Sequence, residues 1–330
     1  MTERNEENAA LADYFRLMGI NGSAHVLQVG QQIGIFKLIT ESGSTAAELA
    51  RTCQLSKVAV ELFLDVLCAL GLLVKSGEDY KPGDVMQFVT GNYQDLGQKY
   101  WDYFPEYLKT GKPLAKMDEI SESEKHYQVQ AASLEWMMSP SAHAAARVLR
   151  IGEKRKDLSI LDVGAGSAVW SLTFASYDST AHVTALDWPA VLELSKSVAE
   201  RYGVSDRFSK IEGNYFDADL PAQTYDMIIL GNVTHLETQD GNIKLFEKLK
   251  SALRQDGDLV IFDIFPGQPQ GDLFRSLYTL GLGLRTQQGR VHSKLELQDM
   301  LKEAGYERLE FHLLPAIPHT MGALVARKIN

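Results

Sequence analysis

Residues 160–170, Ile-Leu-Asp-Val-Gly-Ala-Gly-Ser-Ala-Val-Trp, limit what this chain can fold into more than any other stretch. Leu158, Ile160, Leu161 and Val163 make the short apolar run of a strand buried on both faces of a parallel sheet. Gly164 and Gly166 allow a tight turn and let a ligand approach the main chain without meeting a Cβ. The helix that follows begins with free N–H groups aimed at that ligand. A second strand, residues 181–186, runs into Asp187, placed where a carboxylate can hold both hydroxyls of a ribose. The unit therefore predicts an α/β fold with a nucleoside at the strand ends.

Which nucleoside follows from the glycine spacing. The dinucleotide fingerprint is G-x-G-x-x-G, and here its third glycine position is Val169, which fits a diphosphate poorly. The pattern D-x-G-x-G-x-A, formed by Asp162, Gly164, Gly166 and Ala168, resembles that of S-adenosylmethionine-dependent methyltransferases instead. Any strand–turn–helix of an α/β protein shares the two glycines, so the assignment leans on Asp187 and on later segments.

Composition narrows the partners. The chain has 330 residues, enough for two domains, with 45% hydrophobic and 23% charged residues. A net charge of −10 disfavours nucleic acid and anionic membrane surfaces, both of which attract basic proteins. The two cysteines, Cys53 and Cys68, lie in apolar helical contexts and read as buried thiols. The first eight residues show no signal-peptide pattern, and no run approaches a membrane span, so a cytoplasmic protein is expected.

Three regions are expected in order. Residues 1–92 read as a helical, winged-helix module. A helix over residues 9–38 is apolar around much of its surface, which suits burial against a second copy of the chain, and Gly34 can interrupt it. Thr45 and Glu48 form a capping box that starts another helix. Ser56 caps the next, whose apolar face is read as Val58, Leu62, Val66 and Leu70. A strand pair turning at 77–79 completes the wing. The helix that would read DNA carries Glu61 and Asp65 and would repel phosphates, so the module is read as a dimerisation domain. Residues 93–150 form a helical connector rich in aromatics, among them Trp136, some of which can roof an acceptor pocket. Residues 151–330 alternate strands and helices, with strands at 158–163, 182–187, 208–212, 227–231, 259–264, 308–314 and 321–327. Such alternation implies a mostly parallel sheet, and the last two strands, with no helix between them, should close it as an antiparallel pair.

With these residues in hand, the chain resembles the S-adenosylmethionine-dependent O-methyltransferases of the caffeate and acetylserotonin type over nearly its full length. Residues 45–50 and 70–73 match recurring phrases of that family's winged-helix dimerisation domain. Residues 162–166 match its cofactor loop, Asp187-Trp188-Pro189 its ribose segment, and Gly213-Asn214-Tyr215-Phe216 its adenine-side segment, with Asn214 in place of the usual aspartate. Gly231-Asn232-Val233-Thr234-His235 matches the segment carrying the family's catalytic histidine. The resemblance implies a Rossmann-like class I methyltransferase domain behind a winged-helix dimerisation domain, a homodimer, and S-adenosyl-L-methionine as cofactor. Its cofactor-binding residues would be Asp162, Gly164, Gly166, Ser167, Asp187, Trp188, Asn214, Tyr215, Gly231 and Asn232.

The acceptor decides the chemistry. A phenol, with a pKa of about 10, needs a general base, and a histidine of pKa about 6.5 suits that task. A thioether sulfur has no proton to lose and needs only alignment. His235 is the candidate base, with Trp136, Tyr278, Arg285 and His292 as acceptor contacts. Two departures bear on it. Leu236 stands where the family often has an acid, and Val291 falls near the position of the glutamate that steadies the histidine in plant members. His235 is thus expected to lack its usual orienting acids, with Glu237 as a substitute. Some relatives hold iron with two histidines and an acid; Leu236 in the acid's place predicts no metal. Arg285 would pair a substrate carboxylate, if the acceptor is a small acid. The resemblance extends to bacterial members that methylate 4-methylthio-2-hydroxybutyrate towards dimethylsulfoniopropionate. O-methylation stands first, S-methylation of such a thioether acid second, and a non-catalytic S-adenosylmethionine binder or regulator third.

Overall fold

A computed structural model describes residues 2–89, 97–266, 272–317 and 321–328. The chain forms two compact units, residues 1–93 and 94–330. The boundary expected at 92/93 lies outside the described residues.

The first unit opens with a long helix, α1 (Thr2–Ile33). Gly34, at φ 73°, turns the chain into a 3-10 segment at Ile35–Leu38. A short strand, β1 (Ser44–Thr45), leads into α2 (Ala46–Cys53), and the capping box between Thr45 and Glu48 is formed in both directions. Then come α3 (Lys57–Ala69), the hairpin β2 (Leu73–Ser76) and β3 (Asp79–Pro82), and α4 (Met86–Val89). The small sheet runs β1-β3-β2 and is antiparallel, the layout of a winged helix.

The expected face of α3 needs correction. Val60, Leu64 and Leu67 are buried, whereas Val58 and Leu62 are 66% and 65% exposed. The helix is apolar on two sides, and periodicity cannot tell which side meets the core of its own unit.

The second unit begins with α5 (Gln98–Thr110) and α6 (Ile120–Val148). The stretch expected as a separate connector packs here, α6 lying against the first helix of the α/β layer. The remaining elements are β4 (Ser159–Val163), α7 (Val169–Tyr177), β5 (His182–Asp187), α8 (Pro189–Arg201), β6 (Phe208–Glu212), β7 (Tyr225–Gly231), α9 (Gln239–Ala252), β8 (Leu253–Ile264), α10 (Leu273–Arg285), α11 (Lys294–Glu303), β9 (Glu307–Leu313) and β10 (Met321–Arg327). Their seven-stranded sheet runs β6-β5-β4-β7-β8-β10-β9. The first five strands pair in parallel, and β10 is antiparallel to both β8 and β9.

Successive residues of the central strands serve opposite faces. Ile160, Met227, Ile229 and Phe262 join a core with α6, α7 and α8. Leu161, Val163, Ile228, Leu230 and Ile261 join the other, with α9 and α11. Both faces being covered, near-continuous apolar strands are what the sheet requires. The chain leaves β4 towards β5 on one side, and β7 pairs on the other. That reversal opens a crevice at the strands' carboxyl ends, where open α/β sheets take their ligands.

Candidate active site

A cleft lies in that crevice. Its floor is the turn after β4, its near wall the ends of β5 and β7, and its roof α6, through Ser123, Tyr127, Ala131, Leu134 and Met138.

The turn is built by backbone geometry. Gly164 and Gly166 have φ of 64° and 58°, the left-handed region that glycine enters at no steric cost. A Cβ on Gly164 would lie 2.8 Å from Val233 Cγ2. The Gly166 N–H donates to Asp187 Oδ2 at 2.8 Å, and the Trp188 N–H donates to Asp187 Oδ1 at 2.7 Å. Asp187 is thereby aimed into the cleft. Burial pushes its carboxyl up to about 6, the two N–H bonds opposing and Glu124 adding. Ser167, Trp188, Tyr215, Gly231 and Asn232 also line the cleft. Gly231 is required by its neighbour, since a Cβ there would sit 2.4 Å from Trp170 Cδ1. Trp170 in turn stacks on Phe262, with centroids 4.2 Å apart.

Two expected cofactor residues lie elsewhere. Asp162 is turned into the core, where Oδ2 accepts the Ser171 hydroxyl at 2.6 Å and ties β4 to α7. Burial pushes its carboxyl up to about 7, against those hydrogen bonds. Asn214 uses Oδ1 to accept the Phe216 N–H at 2.8 Å and shapes its own turn. Neither lines the cleft. Asn214 is a short polar side chain at a turn, which bonds nearby backbone in preference to a ligand, and Asp162 is spent on the Ser171 hydroxyl.

His235 sits on a 3-10 turn, Thr234–Leu236, after β7. Its neighbours Val233 and Leu236 line the cleft, while its own ring is buried and does not. Nδ1 is 2.7 Å from Asp263 Oδ1, and Nε2 is 3.1 Å from the Tyr278 hydroxyl. Asp263 also accepts the Thr234 hydroxyl on Oδ2 at 2.6 Å and the Ile264 N–H on Oδ1. Burial alone would raise the Asp263 carboxyl. The His235 charge and the hydrogen bonds from His235, Thr234 and Ile264 outweigh it and hold the carboxyl below its usual range. An ionised carboxylate can only accept, so Nδ1 carries a proton, which leaves Nε2 as the nitrogen able to take up or release the second one.

The expectation that His235 lacks an orienting acid is therefore corrected: Asp263 fills that role. The signal was present as one acid within the apolar run Leu259–Ile264, where a buried charge demands a partner. Glu237, proposed as the substitute, accepts the Tyr215 hydroxyl at 2.5 Å instead. Burial raises its carboxyl, and Asp118 adds to the effect.

The expected acceptor contacts separate. Tyr278 is beside His235. Trp136 is 40% exposed and does not line the cleft. Arg285 is buried, its Nε donating to the Gly281 carbonyl at 3.0 Å, and its charge acts on Tyr100 and Tyr127. His292 is buried behind the Thr234–Leu236 turn, its Nε2 3.0 Å from the Glu237 carbonyl and 3.2 Å from Asn242 Nδ2. Burial lowers its pKa. Arg290 adds a backbone bond to the His235 carbonyl at 2.8 Å. The loop 286–292 thus clamps the turn that carries His235. Among the described residues, no group of three His, Cys, Asp or Glu side chains could hold a metal ion, and no helix is long and apolar enough to cross a membrane.

A glycine turn, an aligned acid and a cleft flanked by Trp188 and Tyr215 fit a nucleoside with a short polar tail. Residues 110–307 match the family model of the O-methyltransferase domain, and the chain belongs to that family. Its members take the methyl group from S-adenosylmethionine, and the chain is a methyltransferase of this kind. It is similar to the N,N-dimethyltransferase OxyT of Streptomyces rimosus, 23% identical, over 86% of this chain and 87% of the relative. It is also 23% identical to the acetylserotonin O-methyltransferase of Mus musculus, over 91% of this chain and 85% of that one. Among solved structures, human N-acetylserotonin methyltransferase in complex with SAM has the same fold, with a TM-score of 0.75 and 19% identity, covering 96% of this chain and 98% of that chain.

Proposed function

We propose that the protein transfers a methyl group from S-adenosylmethionine to a hydroxyl of a small organic acceptor, with His235 as the ultimate proton acceptor. The observation that carries this reading is the buried His235–Asp263 pair, 2.7 Å apart, on the turn whose Val233 and Leu236 line the cleft. Bound S-adenosylmethionine supplies an electrophilic methyl on a positively charged sulfur. Gly164, Gly166 and Asp187 hold its nucleoside, and Trp188 and Tyr215 flank it. Asp263 fixes the His235 tautomer and favours the imidazolium that forms when the hydroxyl proton is lost. Transfer to a thioether requires no proton acceptor, and the pair would then serve only to anchor the turn to β8. That weighs against the sulfur acid as substrate.

The test is turnover of labelled S-adenosylmethionine with a panel of phenols and thioether acids, in wild type and His235→Ala. A hydroxyl acceptor should turn over, and the variant should lose a factor of about 10²–10⁴. Thioether turnover that ignores His235 would establish the sulfur reading.

The first unit supports assembly as a homodimer. Leu11, Phe15, Leu17, Val58 and Leu62 of α1 and α3 are each more than half exposed, an apolar display typical of an interface. Light scattering should give a dimer at micromolar concentration, and Leu62→Glu should weaken it; a wild-type monomer would refute this.

A further inference from the structure

His235 is buried, and both ring nitrogens have protein partners. Nδ1–H donates to Asp263, which leaves Nε2 as the atom that accepts a proton. That atom faces the Tyr278 oxygen at 3.1 Å, with the two rings edge to face and centroids 5.7 Å apart. An acceptor hydroxyl cannot reach Nε2 while Tyr278 holds that place. Tyr278 itself is half-buried on α10 and packs against the core on the α6–α7–α8 face of the sheet. A phenol oxygen can both donate its hydrogen and accept one.

We propose that Tyr278 is a catalytic relay, the hydroxyl that meets the acceptor oxygen and passes a proton to His235. The inference rests on the hydroxyl-acceptor reading above. As the acceptor's O–H bond breaks, its proton goes to the Tyr278 oxygen and the Tyr278 proton goes to His235 Nε2. The acceptor oxygen forms its bond to the methyl carbon, the carbon–sulfur bond breaks, and sulfur keeps the electron pair. The products are a methyl ether, S-adenosylhomocysteine and an imidazolium paired with Asp263, whose Nε2 proton passes back to the Tyr278 oxygen as the Tyr278 proton leaves to water. Tyr278 is neutral before and after. The arrangement explains why the histidine can stay sealed from the cleft. A dry, paired imidazole is held in one tautomer, and the half-buried phenol carries the proton across.

The relay is tested with Tyr278→Phe, which keeps the ring and removes the hydroxyl. Unchanged affinity for S-adenosylhomocysteine serves as the check that the site is folded. Single-turnover methyl transfer to para-substituted phenols should fall on the order of 10²-fold. His235→Ala added to Tyr278→Phe should then cost little more, because the two act as one chain. In mixtures of H2O and D2O the wild-type rate should bow downward, as two moving protons require, and the bow should vanish in the variant. A Tyr278→Phe enzyme as fast as wild type, or faster, would overturn the relay and leave the phenol as a cover over His235. If no phenol turns over in wild type, the hydroxyl-acceptor reading fails, and the relay is judged on the tautomer alone. Nitrogen-15 spectra of the histidines should show neutral His235 protonated on Nδ1 and bare on Nε2. A proton on Nε2 would make Tyr278 the acceptor of that bond and exclude the relay.

Discussion

Asp162→Asn should stabilise the protein at pH 8 and leave it nearly unchanged at pH 5. The side chain is 1% exposed, and its carboxyl is held at about 7 against an ordinary 3.8. A carboxyl raised by folding favours the folded state while protonated and loses that benefit as pH climbs through its folded pKa. At ~1.36 kcal/mol per pKa unit, the raised pKa costs about 4 kcal/mol at pH 8, where the folded group ionises, and about 2 kcal/mol at pH 5, where folding must take up a proton. Asparagine keeps an oxygen for the Ser171 hydroxyl and cannot ionise. It also buries an amide N–H₂ without a partner, at about 1–3 kcal/mol regardless of pH. The two effects roughly cancel at pH 5, and a net gain of about 1–3 kcal/mol remains at pH 8. The firmest quantity is the difference between pH values, in which constant costs drop out: wild type should lose about 2–3 kcal/mol more than the variant on going from pH 5 to pH 8. Urea unfolding of the cofactor-free proteins, followed by tryptophan fluorescence, measures it. Stabilities that change in parallel would show that Asp162 is not the strained buried acid described here.

Asp187, at about 6, should make cofactor affinity depend on pH in the opposite sense, since the ribose hydroxyls need its ionised form. Calorimetry with S-adenosylhomocysteine should give a constant affinity above pH 7 and a fall of about tenfold per unit well below pH 6; a flat profile to pH 5 would contradict it. Gly231→Ala should place a methyl against Trp170 and cost about 1–3 kcal/mol of stability together with most cofactor affinity, as thermal unfolding with and without S-adenosylhomocysteine would reveal.

What the sequence determined on its own was local. The strand, glycine turn and helix of residues 160–170, the acid at Asp187, the capping box at Thr45 and the order of strands and helices are each written within a few residues. Backbone sterics and side-chain period settle them without reference to the rest of the chain. The tertiary structure decided what depends on pairing across distance. Asp263 lies 28 positions from His235 and meets it because β8 runs parallel to β7, in a register that sets Phe262 opposite Gly231. Tyr278 reaches the same histidine from a helix 43 positions away. Asp162 carries the motif yet points into the core, because Ser171 of α7 supplies the hydrogen bond that its burial demands. The inward side of α3 was equally undecided, since an amphipathic pattern says that a face is apolar and only packing says what covers it. A motif fixes where the backbone goes; which side chains then meet is a property of the sheet's register and of the helices laid upon it.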